Sequence, residues 1–216
     1  MSNLINNIIT NCNGFNPDSS LSVISVSGKD NKSFLQGQLT NNLDNLSTNQ
    51  YFLACYCTPQ GKVIAQLQVI QIDNTIYLLI CKELTKLFID QISKYILMAD
   101  VKIELETEAK IISSVGSHAK KMLDNYKCAD LRNVRQINKN SYILNFSTTQ
   151  VEGCKILILN NDKYKYDASN EDINYSSLID LMNLQTRLKE DDVGKYIPQV
   201  LNSDIIINTQ DDSDWD

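Results

Sequence analysis

Asp30-Asn-Lys-Ser-Phe-Leu-Gln-Gly-Gln-Leu-Thr-Asn-Asn-Leu43, followed by Ala54-Cys-Tyr-Cys-Thr-Pro-Gln-Gly-Lys62, is the stretch from which the architecture is read. Asp30 suits the cap of a short helix whose buried side carries Phe34, Leu35 and Leu39. That helix holds two amides around a glycine, Gln36-Gly37-Gln38, and the glycine permits close packing against a strand. Before it, Leu21 to Val26 alternates apolar and small polar residues as a strand does, and Gly28 ends it. After it, 50–57 reads as a strand rich in aromatic residues and cysteine. Thr58-Pro-Gln-Gly61 has the proline and glycine positions of a type I turn, so 50–72 reads as a hairpin. On its second strand Val63, Ala65, Leu67 and Val69 share one face, and Ile64, Gln66, Gln68 and Ile70 share the other. A pair of glutamines on the second face points to water or a cavity there rather than a sealed core.

Working outward, Asp73-Asn74 turns the chain into a strand over 75–81. A helix over 82–97 follows, with Leu84, Leu87, Phe88, Ile92, Tyr95 and Ile96 at three- and four-residue steps, and then a strand over 101–105. A second unit starts near Glu108, with strands over 109–115, 141–147 and 154–159 and helices over 117–125 and 175–188. An Asn- and Lys-rich loop precedes the second of those strands. The expected fold is α+β, two small mostly antiparallel units. The expected boundaries are an N-terminal extension over 1–20, a first unit over 21–105, a second over 106–204 and an acidic tail over 205–216.

Composition narrows the function. An apolar content of 43% with 21% charged residues is that of a globular protein, and no run approaches the ~18 apolar residues of a membrane span. The first twelve residues carry no basic residue and lack a secretory pattern, so the expected location is the cytoplasm, away from any membrane. A net charge of −6 disfavours direct nucleic-acid binding, and Lys120-Lys121 reads as solvated surface. Six cysteines stand at 12, 55, 57, 81, 128 and 154, without a Cys-x-x-Cys pair and with His118 as the sole histidine. That is no zinc or cluster ligand set, and the thiols read as reduced and mostly buried, with Cys55 and Cys57 on one face of a strand. His118, in Ser117-His-Ala-Lys-Lys, reads as a surface helix residue, and neither nucleophilic catalysis nor a phosphate-binding glycine loop is indicated.

The quoted stretch resembles, in order, the N-terminal part of the YgfZ family, folate-binding proteins related to the T-protein (aminomethyltransferase) of glycine cleavage and implicated in iron–sulfur cluster maintenance. Leu84 to Ile103 is similar to that family's helix and following strand, and Tyr196-Ile-Pro-Gln-Val-Leu-Asn202 to the segment before its signature. The resemblance runs from about Leu21 to Asn202; the signature Lys-Gly-Cys-Tyr-x-Gly-Gln-Glu does not occur in the sequence, and the resemblance implies a C-terminally shortened form. It implies the GcvT/YgfZ folate-binding architecture and an auxiliary role in iron–sulfur cluster assembly and tRNA modification. The implied partners are a reduced folate and iron–sulfur client proteins; the implied cofactor is tetrahydrofolate or a derivative, with no metal.

Aminomethyltransferases carry an aspartate pair where this chain has Ala65 and Gln66. Neither replacement holds a basic group near neutral pH, so the resemblance implies a folate-binding protein without that transferase chemistry and without catalytic residues. The alternatives are a folate-dependent aminomethyltransferase and an interaction module without ligand binding. A pterin suits amides and an apolar or aromatic wall. Gln36, Gln38, Gln60, Gln66 and Gln68 are the candidate amides, and Leu67 and Tyr95 the candidate wall. Lys62, Lys94 and Arg187 are candidates for the glutamate tail.

Overall fold

The computed structural model of the protein describes residues 14–46, 50–148, 151–160, 162–169, 175–182 and 188–201. In chain order its elements are β1 (Asn16–Pro17), β2 (Leu21–Ser27), α1 (Asn31–Gln36), β3 (Tyr51–Cys57), β4 (Val63–Ile72), β5 (Thr75–Cys81), α2 (Thr85–Ile92), β6 (Lys102–Leu105), β7 (Lys110–Val115), α3 (Gly116–Asn125), β8 (Val134–Asn138), β9 (Ser141–Asn145), β10 (Gly153–Ile158) and α4 (Tyr175–Met182). They fall into two units, one of 20–105 with the segment from 185 onward, the other of the segment up to 19 with 106–184. Each is an α+β unit around one five-stranded sheet whose strand pairs are all antiparallel.

In the Ser20–Leu105 unit the strand order is β3-β4-β5-β2-β6. Alternation along the strands puts Ile24 and Val26, Ala54 and Tyr56, Ala65, Leu67 and Val69, and Leu78 and Ile80 into one core with Leu35, Leu39, Phe88 and Ile92. Leu84, Phe88 and Ile92 recur at four-residue steps, so the buried stripe of the helical segment is continuous. Phe88 meets Tyr56 edge to face at 5.3 Å. Each such side chain, fully removed from water, contributes about 1.5–3 kcal/mol. Leu188 and Leu201 join this core, so the segment around them packs with the first unit, not within a 106–204 unit.

The Thr58–Gly61 turn closes the β3–β4 hairpin with the Gly61 amide donating to the Thr58 carbonyl at 2.9 Å. Gly61 lies at φ +74, a region only glycine enters cheaply. A bulge between Tyr56 and Cys57 then shifts the register, so that Leu53 lies opposite Gln68 and Cys55 opposite Gln66.

The Asp30–Leu43 stretch works as a clamp. Asp30 does not cap α1 with its side chain; its Oδ2 instead accepts from the Asp100 amide at 2.8 Å. Asn31 Nδ2 donates to the Val26 and Asn74 carbonyls, tying α1 to the end of β2 and to the β4–β5 turn. Helix α1 ends at Gln36, so Gly37 and Gln38 lie in the turn beyond it. Gln36 Oε1 accepts from the Leu43 amide at 2.6 Å. Leu39 bridges to Tyr56, Thr40 bonds both backbone groups of Cys55, and Asn41 Nδ2 donates to the Leu53 carbonyl. These bonds occupy the outer edge of β3, which would otherwise present unpaired backbone groups.

The other unit has the order β1-β7-β10-β9-β8, with Phe15, Ile112, Ala119, Leu123, Ile143, Cys154 and Ile156 in its core. Residues 14–19 therefore pack with this unit and are not an N-terminal extension: β1 (Asn16–Pro17) pairs with β7, and Phe15 is 2% exposed. Lys155, fully buried on β10, pairs with Asp180 of α4 at 3.4 Å and lies 4.8 Å from the Phe146 ring centroid. Its ammonium is thus held by a carboxylate and an aromatic face together.

Two further expectations need correction. The 82–97 helix is α-helical only over Thr85–Ile92, flanked by 3-10 turns at Lys82–Leu84 and Ser93–Tyr95, and Tyr95 is 52% exposed. The loop expected before 141 contains β8. Helix α4 is described over Tyr175–Met182, and 183–187 lies outside the described residues, as does the 205–216 tail.

Candidate functional site

The face of the first unit's sheet opposite α1 and α2 holds two of the candidate amides. Strand alternation sends Gln66 and Gln68 of β4 to that face, two residues apart. Gln68 is 7% exposed, and its Oε1 has no hydrogen-bond partner among the described residues. Its cross-strand neighbours are Leu53 and Leu79, neither of which offers a side-chain donor. In the next row Ile70 stands between Tyr51 and Tyr77. A buried amide oxygen between leucines carries the desolvation cost of an unmet acceptor, so the position suits a ligand that presents an N–H to it.

The remaining candidates scatter. Gln36 is exposed and spends its oxygen on the Leu43 amide; Gln38 is half-buried in the turn after α1, and Gln60 is exposed at the hairpin tip. Leu67, 1% exposed, is sealed in the helix-side core, so it cannot wall a ligand held by Gln66 and Gln68. Tyr95 is exposed and close enough to Tyr56, a helix-side residue, to help burial raise that phenol's pKa. Lys62 is half-buried where the hairpin turn enters β4, Lys94 is exposed, and Arg187 lies outside the described residues. The structure thus brings Gln66 and Gln68 together, with Lys62 just before the same strand, and leaves Gln36, Gln38, Gln60, Leu67, Lys94 and Tyr95 elsewhere.

Leu53, Leu79, Tyr51 and Tyr77 were not singled out from the sequence. The placement of Leu53 and Tyr51 opposite β4 depends on the bulge at Tyr56–Cys57, that of Leu79 and Tyr77 on the β4–β5 register, and a one-residue slip would turn each strand over. No residue type announces that bulge.

Burial pushes the Cys57 thiol up to about 11, with Cys55 adding to it, which keeps the thiol protonated and a poor nucleophile. Burial likewise raises Cys128 to about 11 against the opposing field of Arg135. Among the described residues no group of three His, Cys, Asp or Glu side chains is placed to hold a metal, and no helix is long and apolar enough to cross a membrane. His118 is half-buried rather than on the open surface. Its Nδ1 lies 2.9 Å from Ser114 Oγ, and its ring packs edge to face on Phe15 at 5.0 Å. Ser114 Oγ donates to the Gly14 carbonyl, so His118 Nδ1 is the donor in their bond. That is the reverse of what an activated serine needs.

No family profile matches the chain. It is similar to the "tRNA-modifying protein YgfZ" of several bacteria. With that of Buchnera aphidicola it is 31% identical over 107 residues, 49% of this chain and 34% of that one. With that of Hamiltonella defensa it is 28% identical over 103 residues, 48% and 31% of the two. With that of Yersinia pestis the identity is 29% over 101 residues, 47% and 31%. The chain matches about a third of the length of these curated relatives. Among solved structures, the glycine cleavage system aminomethyltransferase T from Bartonella henselae superposes with a TM-score of 0.59 at 14% identity, over 67% of this chain and 41% of that one. The fold is shared with that enzyme.

Proposed function

From its resemblance to the YgfZ/GcvT-like family, which holds in sequence across about half of the chain and in fold, we propose that this chain is a YgfZ-like folate-binding auxiliary protein. It binds a reduced folate, acts in the cytoplasm on behalf of iron–sulfur client proteins and tRNA modification, and performs no aminomethyl transfer. The observation that carries the reading is the buried Oε1 of Gln68, without a partner among the described residues, beside Gln66. A pterin edge offers an amino group and a ring N–H to such an acceptor, and its flat face suits the flanking leucines and tyrosines. The donor and acceptor set therefore fits a folate.

Gln68 holds the pterin edge, Gln66 orients it, and Lys62 supplies the cation for the glutamate tail. Bound reduced folate supplies ring and bridge amines able to carry a one-carbon unit. What this chain supplies beside them is the amide of Gln66; the methyl group at 65 points to the opposite face of β4. Ala65 is buried on the helix-side core, where no proton can be accepted. Neither group takes up a proton near neutral pH, so the chain holds folate without activating it. An assay of folate-dependent ammonia release from an aminomethyl donor tests this. The expected rate equals that without protein, and a rate above it contradicts the reading.

A further inference from the structure

We propose that this chain self-associates through the outer edge of β6, by an antiparallel pairing of β6 with β6 of a second copy centred on Ile103. Strand β6 ends its sheet and pairs only with β2 among the described residues. Its side chains divide by face. Ile103 and Leu105 lie in register with Val26 and Ile24 on the core side, while Lys102 and Glu104 lie in register with Ser27 and Ser25 on the other. Leu105 is 45% exposed, and the side chains of Lys102 and Glu104 are 67% and 51% exposed, in contact with each other at 2.7 Å.

Two-fold symmetry restricts the possible registers. In a symmetric antiparallel pair the axis runs perpendicular to the sheet, so a residue faces its own copy at the centre, and every cross-strand pair joins residues of the same face. Centring on Lys102 sets ammonium against ammonium, and centring on Glu104 sets carboxylate against carboxylate. Centring on Ile103 sets Ile103 against its copy, Lys102 against Glu104 of the second copy and Glu104 against its Lys102. It also sets Leu105 against Val101 of the second copy, apolar against apolar. Of these three registers, only the one centred on Ile103 is complementary. The loop that delivers the chain into β6 adds apolar surface, with Leu97 86% and Met98 99% exposed. These are among the largest exposed apolar side chains described, and such surface beside an open strand edge is what association covers.

Sedimentation of the full 216-residue chain over a roughly hundredfold concentration range tests this, with circular dichroism to confirm that each variant folds. The expected result is a monomer–dimer equilibrium. Lys102→Glu replaces two attractive pairs by two repulsive ones and weakens the dimer by about tenfold or more, and Glu104→Lys does the same. The double variant Lys102→Glu/Glu104→Lys restores both pairs and returns the dissociation constant to within about threefold of the parent. A chain that stays monomeric throughout overturns the proposal. So does a dimer that the single variants leave unchanged or that the double variant fails to restore.

Discussion

The amide at Gln68 is a cost to the isolated chain. Its Oε1 is removed from water and has no donor among the described residues. Replacing Gln68 with Met, similar in volume and free of polar atoms, is expected to stabilise the ligand-free protein by about 1–3 kcal/mol. Urea unfolding measures this, and a destabilised Gln68→Met contradicts the assignment of the oxygen as unmet. His118 carries a second residue-scale consequence. Burial lowers its pKa from the ordinary 6.5, with Lys121 acting in the same sense and Asp167 against it. The unfolded chain therefore takes up the proton first as pH falls. Stability is intact above about pH 6.5 and is lost as pH drops from there through the lower folded pKa. Comparing unfolding midpoints of the parent and His118→Gln between neutral and mildly acid pH should show the steeper fall in the parent; parallel curves contradict it. Reading these residues from sequence succeeded where period two governs, since the parity that separates Gln66 and Gln68 from Leu67 is written in the chain. It failed where a side chain turns back on its own loop. The bond from Gln36 Oε1 to the Leu43 amide has no signature in residue type.

Among the elements, the 20–105 unit is held by close approaches as much as by its core. Gly28 lies at φ +103, and a Cβ there would stand 2.1 Å from the Asp100 carbonyl oxygen. Gly28→Ala is thus expected to cost roughly 2–4 kcal/mol, from backbone strain and from displacement of the segment that feeds β6. Thermal unfolding measures it, and a change within experimental error contradicts the close approach. The hairpin, β5 and the α2 stripe were legible because apolar periodicity and turn chemistry agree there. Strand β8 was not legible, since Val134-Arg-Gln-Ile-Asn138 is short and largely polar, and its partner β9 supplies the fully buried residues. The expected helix ran past Ile92 because Tyr95 and Ile96 continue the helical spacing and no Gly or Pro marks the stop. Only the geometry shows Tyr95 turned out to solvent.

For the molecule as a whole, the α+β class and the two sheets follow from patterning, but the membership of the units does not. Residues 14–19 join the strand that begins at Lys110, and the segment around Leu188–Leu201 joins a core built from 24–92. Contacts so distant in sequence leave no local signal, so boundaries drawn along the chain divide what the fold unites. The same holds for the candidate site, where Leu53 and Leu79 reach Gln68 only through the register of β3, β4 and β5. The central claim is that this face takes a reduced folate through Gln68. Ligand bound to the folded state alone stabilises it, by about 2.7 kcal/mol at a hundredfold excess over Kd. The measurement is calorimetric titration of the 216-residue chain and of Gln68→Met with tetrahydrofolate. The account expects saturable binding by the parent, at least about tenfold weaker in Gln68→Met, because the variant removes the acceptor for the pterin N–H. No heat of binding to the parent at millimolar folate, or equal affinity in the two proteins, would contradict it.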